Sequence, residues 1–288
     1  MDEVSKVSEY IELVNTFTHN FKSDRFYFRG HSNEAYKLLP SVFRPGFWDK
    51  EEYLYHEIMV RCPGYFEKTS HLDKLVRMQH YGIYTRLLDI TANPLVALYF
   101  ACLGNNDVAG KVFMFTSIFN EVVYSDSDRA LILSCLPLLT YSEKMDLYNE
   151  TITRINEPKK ENRIKFIRTT GDKRYASQIV EKLYLEICTE LPSFKRELNP
   201  DDLIKPIIVQ PNKTNDRILK QDGAFIINGL SKDRDEAEKK LQDIVTYEIR
   251  IIDKEKILNE LDSLCINEAA LFPEVDKVAE YLINTIRR

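Results

Sequence analysis

Apolar positions recur at helical spacing from the first residues of the chain. Val4, Val7, Tyr10, Ile11, Val14 and Phe17 share one face of a 3.6-residue period, which predicts a helix over 4–17. The period then drops to two. Arg25-Phe26-Tyr27-Phe28-Arg29 alternates and is stopped by Gly30, which predicts a strand with Phe26 and Phe28 toward the core and Arg25, Tyr27 and Arg29 on the other face. Pro40, Pro45 and Gly46 make 38–47 an irregular connection, and helical patterns return over 50–62 and 70–80. From His80 onward polar residues interleave with Ile83, Leu87, Leu88 and Ile90. Asn93-Pro94 then starts a helix, because Asn accepts from unpaired N–H groups and proline at the first position has no N–H. That helix is apolar nearly all round (Leu95, Val96, Ala97, Leu98, Phe100, Ala101), so it belongs in the interior. Val112-Phe113-Met114-Phe115 reads as a central strand.

The tone changes over 126–191, a helical block read as an insertion. Its stretch 151–174 holds eight Lys or Arg against three Asp or Glu. Strand patterns resume at 203–209, where Pro206 implies an edge, at 224–228 behind Gly223, and at 244–251, which alternates cleanly. A helix capped by Asp253 and carrying Ile257, Leu258, Leu261 and Leu264 follows, with a last one over 273–286. Uneven helical blocks between the strands favour an α+β chain over a doubly wound sheet.

Composition narrows the function classes. With 288 residues, 44% hydrophobic and 30% charged, the chain is an ordinary soluble globular protein, taken as a single domain over 1–288. No apolar run approaches the ~20 residues of a membrane span. The N-terminus is acidic and polar, unlike a signal peptide, so a cytoplasmic protein is expected. Cys62, Cys102, Cys135, Cys188 and Cys265 stand singly without a CxxC pair, which argues against a disulfide framework or structural zinc. The five histidines are unclustered, and GxGxxG, GxxxxGK[ST] and GxSxG are absent, so no metal is expected and the common nucleotide and hydrolase templates do not apply.

Three segments carry polar residues that a fold alone does not require. In Phe28-Arg29-Gly30-His31-Ser32, an arginine on the non-core side of a strand, beside a glycine open to ligand approach, can offer a planar fork of donors to phosphate; an exposed strand-end arginine is the bland reading. His80, Tyr81, Thr85, Arg86, Asp89 and Thr91 sit just before the buried helix, so Arg86 and Asp89 either pair with each other or serve a site. Gln221 and Asp222 precede Gly223 and an apolar strand, either as a cleft rim or as a tight turn. The basic stretch Lys159, Lys160, Arg163, Lys165 and Arg168 is a nucleic-acid candidate, although a charge run on a helix is usually a solvated face and the chain as a whole carries net −5.

These motifs together resemble the FRG domain family, named for the Phe-Arg-Gly found here at Phe28, Arg29 and Gly30. The likeness continues through Gln79-His80-Tyr81-Gly82, Thr85-Arg86-Leu87-Leu88-Asp89, Asn93-Pro94, Ala97-Leu98-Tyr99-Phe100-Ala101, Arg217-Ile218 with Gln221 and Gly223-Ala224-Phe225, and Leu271-Phe272-Pro273. Ile90 departs from the family's usual aromatic and Asp222 from its usual Gln or Arg. The motif order is similar to that of ADP-ribosyltransferases. That similarity implies a mixed, mainly antiparallel sheet core with a helical insertion at 126–191 and C-terminal helices. It also implies NAD as substrate, without a metal. Arg29 would grip the diphosphate or the nicotinamide ribose, with Gly30, His31, Ser32, His80, Tyr81, Thr85, Arg86 and Asp89 beside it. Thr91 would take the Ser/Thr place, and Gln221 or Asp222 the place of the late glutamate, with Asp222 or Asp89 as source of a carboxylate. The implied function is a toxin or phage-defence effector that modifies RNA, DNA or protein and is held in check by a partner. The alternative is a non-catalytic module that binds a nucleotide or phosphate ligand.

Overall fold

The computed structural model describes residues 1–21, 25–104, 106–117, 121–156, 177–195, 198–213 and 215–287. The chain opens with β1 (Asp2–Val4), α1 (Val7–Asn20) and β2 (Arg25–His31). After an irregular connection come α2 (Glu51–Arg61), α3 (His71–His80), β3 (Leu87–Thr91), α4 (Pro94–Cys102) and β4 (Gly110–Ser117). β5 (Val123–Tyr124) leads into α5 (Asp128–Cys135), α6 (Tyr141–Ile155) and α7 (Gln178–Glu190). Then follow α8 (Pro200–Ile204), β6 (Ile207–Gln210), α9 (Asp216–Lys220), β7 (Gly223–Ile227), α10 (Arg234–Gln242) and β8 (Tyr247–Ile251). α11 (Lys254–Ser263), α12 (Glu268–Leu271) and α13 (Val275–Arg287) end the described chain.

The protein is α+β. Among the described residues the strands form one sheet in the order β1-β8-β4-β2-β3-β7-β6-β5. The two outermost pairings are parallel and the inner ones antiparallel. The middle is interrupted. β2 pairs with β4 along its whole length, from Arg25↔Ser117 to His31↔Lys111, and β3 pairs with β7 from Leu87↔Ile227 to Thr91↔Gly223. Between β2 and β3 there is a single pair, Phe28↔Thr91. Two well-formed half-sheets thus meet at one position.

Both faces of the sheet are covered. Phe28 packs with Val96, Ala97, Met114 and Ile249, whereas Tyr27 packs on the opposite side with Leu38, Leu88, Phe113 and Phe115. The expectation that Tyr27 faces away from the core is therefore corrected: it is only 2% exposed, because 38–43 and α10 close over that face. α4 starts as its sequence demands, with the Asn93 side chain accepting from Leu95 N at 3.0 Å. It lies close enough to the sheet that a Cβ on Gly30 would stand 1.9 Å from the Ala97 carbonyl oxygen, and one on Gly110 2.1 Å from that of Ala101. The glycine of the Phe-Arg-Gly triplet thus admits a helix backbone as well as bordering open space.

Some boundaries differ from the sequence reading. Val4 ends a strand, and α1 runs to Asn20. Residues 244–246 turn before β8, so the clean alternation overshoots the strand. Asp253 occupies the position before α11 but has φ 54° and makes no capping hydrogen bond with its side chain. Pro206 falls in the turn ahead of β6, where a missing N–H costs no ladder bond. The helical block contributes α5, α6 and α7, and their apolar faces join β6 and β7 in the largest core cluster. No described helix is long and apolar enough to cross a membrane.

Arg86 overturns its expected pairing with Asp89. Side chains three apart along extended backbone point to opposite faces. Arg86 is 2% exposed; its Nε and Nη2 donate to the two Glu51 oxygens at 2.8 and 2.5 Å, and Nη1 donates to the Asn228 carbonyl at 3.0 Å. Lys144 Nζ donates to Glu51 Oε2 at 2.7 Å. α2, the start of β3 and α6 are thereby fastened at one buried carboxylate. Burial pushes the Glu51 carboxyl up, but Arg86 and Lys144 outweigh it and hold its pKa at about 2.

Glu51→Ala should cost about 3–5 kcal/mol by leaving two buried cations unpaired. Because the Glu51 pKa is depressed on folding, its contribution is present above its ordinary 4.5 and is lost as pH falls toward 2. Thermal unfolding from pH 7 down to pH 2 checks both statements. A loss below 1 kcal/mol in the variant would contradict the first.

Candidate functional site

Past the Phe28↔Thr91 pair, β2 and β3 separate, and a cleft of about 230 Å³ opens between the half-sheets. α3, α4 and the α9–β7 turn wall it in. Its lining is apolar at Phe28, Val96, Phe100, Ile218 and Phe225, and polar at Arg29, Gln79, His80, Asp89, Arg217 and Gln221. Residues far apart in sequence converge here, because β2, β3 and β7 are neighbours in the sheet while α3 and α4 flank β3 in the chain.

Arg29 begins on the Tyr27 face of β2, and its guanidinium reaches across the gap. Nε donates to His31 Nε2 at 3.0 Å and Nη1 to the Asp89 carbonyl at 2.5 Å, with the Asp89 carboxylate 3.8 Å away. Burial lowers the Arg29 pKa and Arg44 adds to that, against the pull of Asp89. An arginine nevertheless keeps its charge at neutral pH. Burial, reinforced by Arg29 and Lys111, drops the His31 pKa to about 3. A neutral ring is what allows Nε2 to accept from Arg29, so His31 orients the arginine from behind.

Asp89 projects into the open part of the cleft with its side chain 62% exposed. Gln79 Nε2 donates to its Oδ2 at 2.8 Å, and the Thr85 hydroxyl donates to Gln79 Oε1, which fixes the amide orientation. Asp89 is the single carboxylate among the residues that line the cleft. His80 lies deeper, its Nε2 3.9 Å from Glu274 Oε1. Burial and the nearby Arg217 charge lower its pKa, opposed by Glu274. Thr91 is saturated: its hydroxyl donates to the Gln221 carbonyl at 2.6 Å and accepts from Asn93 N at 3.0 Å. Gln221 Nε2 in turn donates to the Leu271 carbonyl at 3.1 Å.

Of the residues singled out in the sequence, the fold brings Arg29, Gly30, His80, Asp89, Thr91 and Gln221 to this cleft. It does not bring the others. Arg86 and Thr85 are buried behind β3, and His31 is buried behind Arg29. The Ser32 carbonyl accepts from Lys254 Nζ at 2.5 Å, away from the cleft. Tyr81 is exposed beside Tyr65. Asp222 adopts φ 44°, and its carboxylate turns to Lys213 at 3.3 Å, so of the pair Gln221 and Asp222 only the amide lines the cleft. Lys159, Lys160, Arg163, Lys165 and Arg168 lie outside the described residues. Three polar cleft residues, Gln79, Asn215 and Arg217, were not singled out as site candidates. Gln79 and Arg217 stand within the motifs quoted above, beside His80 and four positions before Gln221, and that was the available signal; Asn215, two positions before Arg217, had none.

Residues 24–109 match the family model of the FRG domain. The chain carries an FRG domain. No curated protein and no solved structure matches the sequence. The FRG segment supplies Arg29, Gln79, His80, Asp89 and Thr91, whereas Arg217 and Gln221 reach the cleft from outside it. The FRG arginine and its glycine have separate roles: the side chain spans the sheet opening, and the glycine seats α4.

Asp89→Ala should leave the fold nearly unchanged, within about 1 kcal/mol, because an exposed ion pair contributes little and Arg29 retains the residue-89 carbonyl. Chemical denaturation checks this. A loss of several kcal/mol would show that the carboxylate holds the half-sheets together.

Proposed function

We propose that the cleft binds NAD and that the protein transfers ADP-ribose from it to an acceptor on nucleic acid or protein. The observation that carries this reading is that Arg29, Asp89 and Gln221, from three separate segments, line one cleft. Arg29 is an oriented cation able to hold the diphosphate or ribose of the dinucleotide. Breaking the glycosidic bond to nicotinamide leaves positive character on the ribose C1′, which the Asp89 carboxylate is the group present to stabilise. The acceptor nucleophile then bonds to C1′ and loses its proton to solvent, and nicotinamide departs with the electron pair of the broken bond. Gln221 has no negative charge to offer, and its amide is already committed to Leu271. The late-strand glutamate role therefore passes to Asp89 on β3. At about 230 Å³ the cleft is below the usual ~300–1,000 Å³ of sites that enclose a whole drug-sized ligand, which suits the nicotinamide riboside half with the adenosine end outside.

The second reading, a module that binds a phosphate ligand without turnover, is favoured by that same commitment of Gln221 and by the 3.8 Å approach of Arg29 to the cleft's carboxylate. Incubation with radiolabelled NAD, RNA, DNA and cell extract separates the two. Wild type should release nicotinamide and transfer label, and Asp89→Asn and Arg29→Ala should each reduce transfer by about 100-fold or more. Neither release nor transfer by the wild type, or transfer unaffected by both substitutions, would remove the transferase reading.

A further inference from the structure

Among the described residues, Arg217 is the cleft arginine whose guanidinium has no ion-pair or hydrogen-bond partner, the carboxylate beside this part of the cleft, Glu274, lying instead 3.9 Å from His80. Arg29 has Nε on His31, Nη1 on the Asp89 carbonyl and a carboxylate at 3.8 Å. By contrast, the half-buried Arg217 guanidinium makes no hydrogen bond and has no carboxylate within 4.0 Å among the described residues. It is nevertheless held. Its centre lies 4.7 Å from the centroid of the Phe272 ring, and that ring meets Phe100, a cleft-lining residue, edge-on at 6.0 Å. The segment bearing Phe272 is in turn fastened to the α9–β7 turn by the Gln221 amide, which donates to the Leu271 carbonyl at 3.1 Å. At the start of α9, Asn215 Oδ1 accepts from Arg217 N at 2.7 Å and fixes the turn that presents the arginine.

We propose that Arg217 is the phosphate-binding residue of the cleft, with Phe272 and Gln221 as the positioning residues that hold its donor fork toward the opening. The cation–π contact with Phe272 holds the guanidinium without using any of its N–H donors, which leaves them available to a phosphate oxygen pair. A cation beside apolar walls attracts an anion more strongly than one in open water. The inference rests on reading the cleft as a nucleotide site, and it moves the phosphate contact from Arg29 to Arg217. Arg29 then faces the ribose side, next to Asp89. It also explains a glutamine at position 221: the residue fastens the arginine's platform and takes no part in bond breaking.

The test is isothermal titration of the full chain at low salt with inorganic pyrophosphate, ADP, succinate and adenosine. Wild type binds pyrophosphate and ADP. Arg217→Ala weakens both by about 10- to 100-fold, the loss of one charge-assisted contact, and leaves any adenosine binding unchanged. Phe272→Leu gives a smaller loss, and Arg29→Ala weakens pyrophosphate less than Arg217→Ala does. Thermal unfolding verifies that each variant is folded, and Arg217→Gln replaces the alanine variant should that one unfold. Pyrophosphate binding within twofold of wild type in the folded Arg217 variant would overturn the proposal. So would failure of the wild type to bind either phosphate compound, or a preference for succinate. The outcome is separable from the reaction proposed above. Arg217-dependent ADP binding in a protein that never releases nicotinamide retires the transferase and keeps the phosphate site. Undiminished ADP-ribose transfer by Arg217→Ala does the reverse.

Discussion

The cleft depends on a sheet that stops pairing in its own middle. Backbone carbonyls inside a sheet ordinarily find a neighbouring N–H, and one left without a partner is costly. β2 and β3 part after Phe28↔Thr91, which would leave the Asp89 carbonyl facing a gap. The Arg29 side chain fills that vacancy by donating from Nη1 at 2.5 Å. A side-chain bond thus substitutes for a ladder bond, and it spans the opening without closing it. The same guanidinium remains part of the cleft lining, so one residue both tolerates the split and equips it.

The split also requires that β3 be held from elsewhere, since β2 gives it only one pair. β7 holds one edge along the full strand. Behind the strand's start, Arg86 locks onto Glu51, which also accepts from Lys144, a bidentate contact well suited to fixing a backbone position. α3 then sits on the opposite side of the opening, where the Thr85 hydroxyl and the Asp89 carboxylate clamp the Gln79 amide from both ends. The polar residues of the second motif therefore divide into two sets. Arg86 and Thr85 support the strand from within, and Gln79, His80, Asp89 and Thr91 meet the open space.

Much of this division was legible from spacing, and some was not. The alternation over 25–29, the Asn93-Pro94 helix start and the apolar run after it predicted β2 and α4 closely, because each signal is local. The partner of Arg86 was not local: Glu51 and Lys144 come from other helices, separated from each other by 93 positions. Strand alternation alone does set Arg86 and Asp89 on opposite faces, so the expected pair was open to exclusion from the sequence. Tyr27 misled for a different reason. A half-buried strand and one covered on both sides differ in what packs above them, and 38–43 shows no periodicity that would announce it. Gly30 is among the cleft-lining residues, but the tighter constraint on it, the Ala97 backbone, became visible only once α4 was packed. Gln221 was chosen for its place before a strand, and its role emerged only through Leu271, 50 positions later.

Hydrogen–deuterium exchange of the full chain with and without NAD decides whether the β2–β3 opening is a dinucleotide site, because it locates binding without requiring turnover. NAD bound in this cleft should slow exchange together in three separated segments, around Gly30, over 79–91 and over 215–223, while β1, β8 and α11 are unchanged. Protection confined to a surface remote from the β2–β3 opening, or none at saturating NAD, would contradict it.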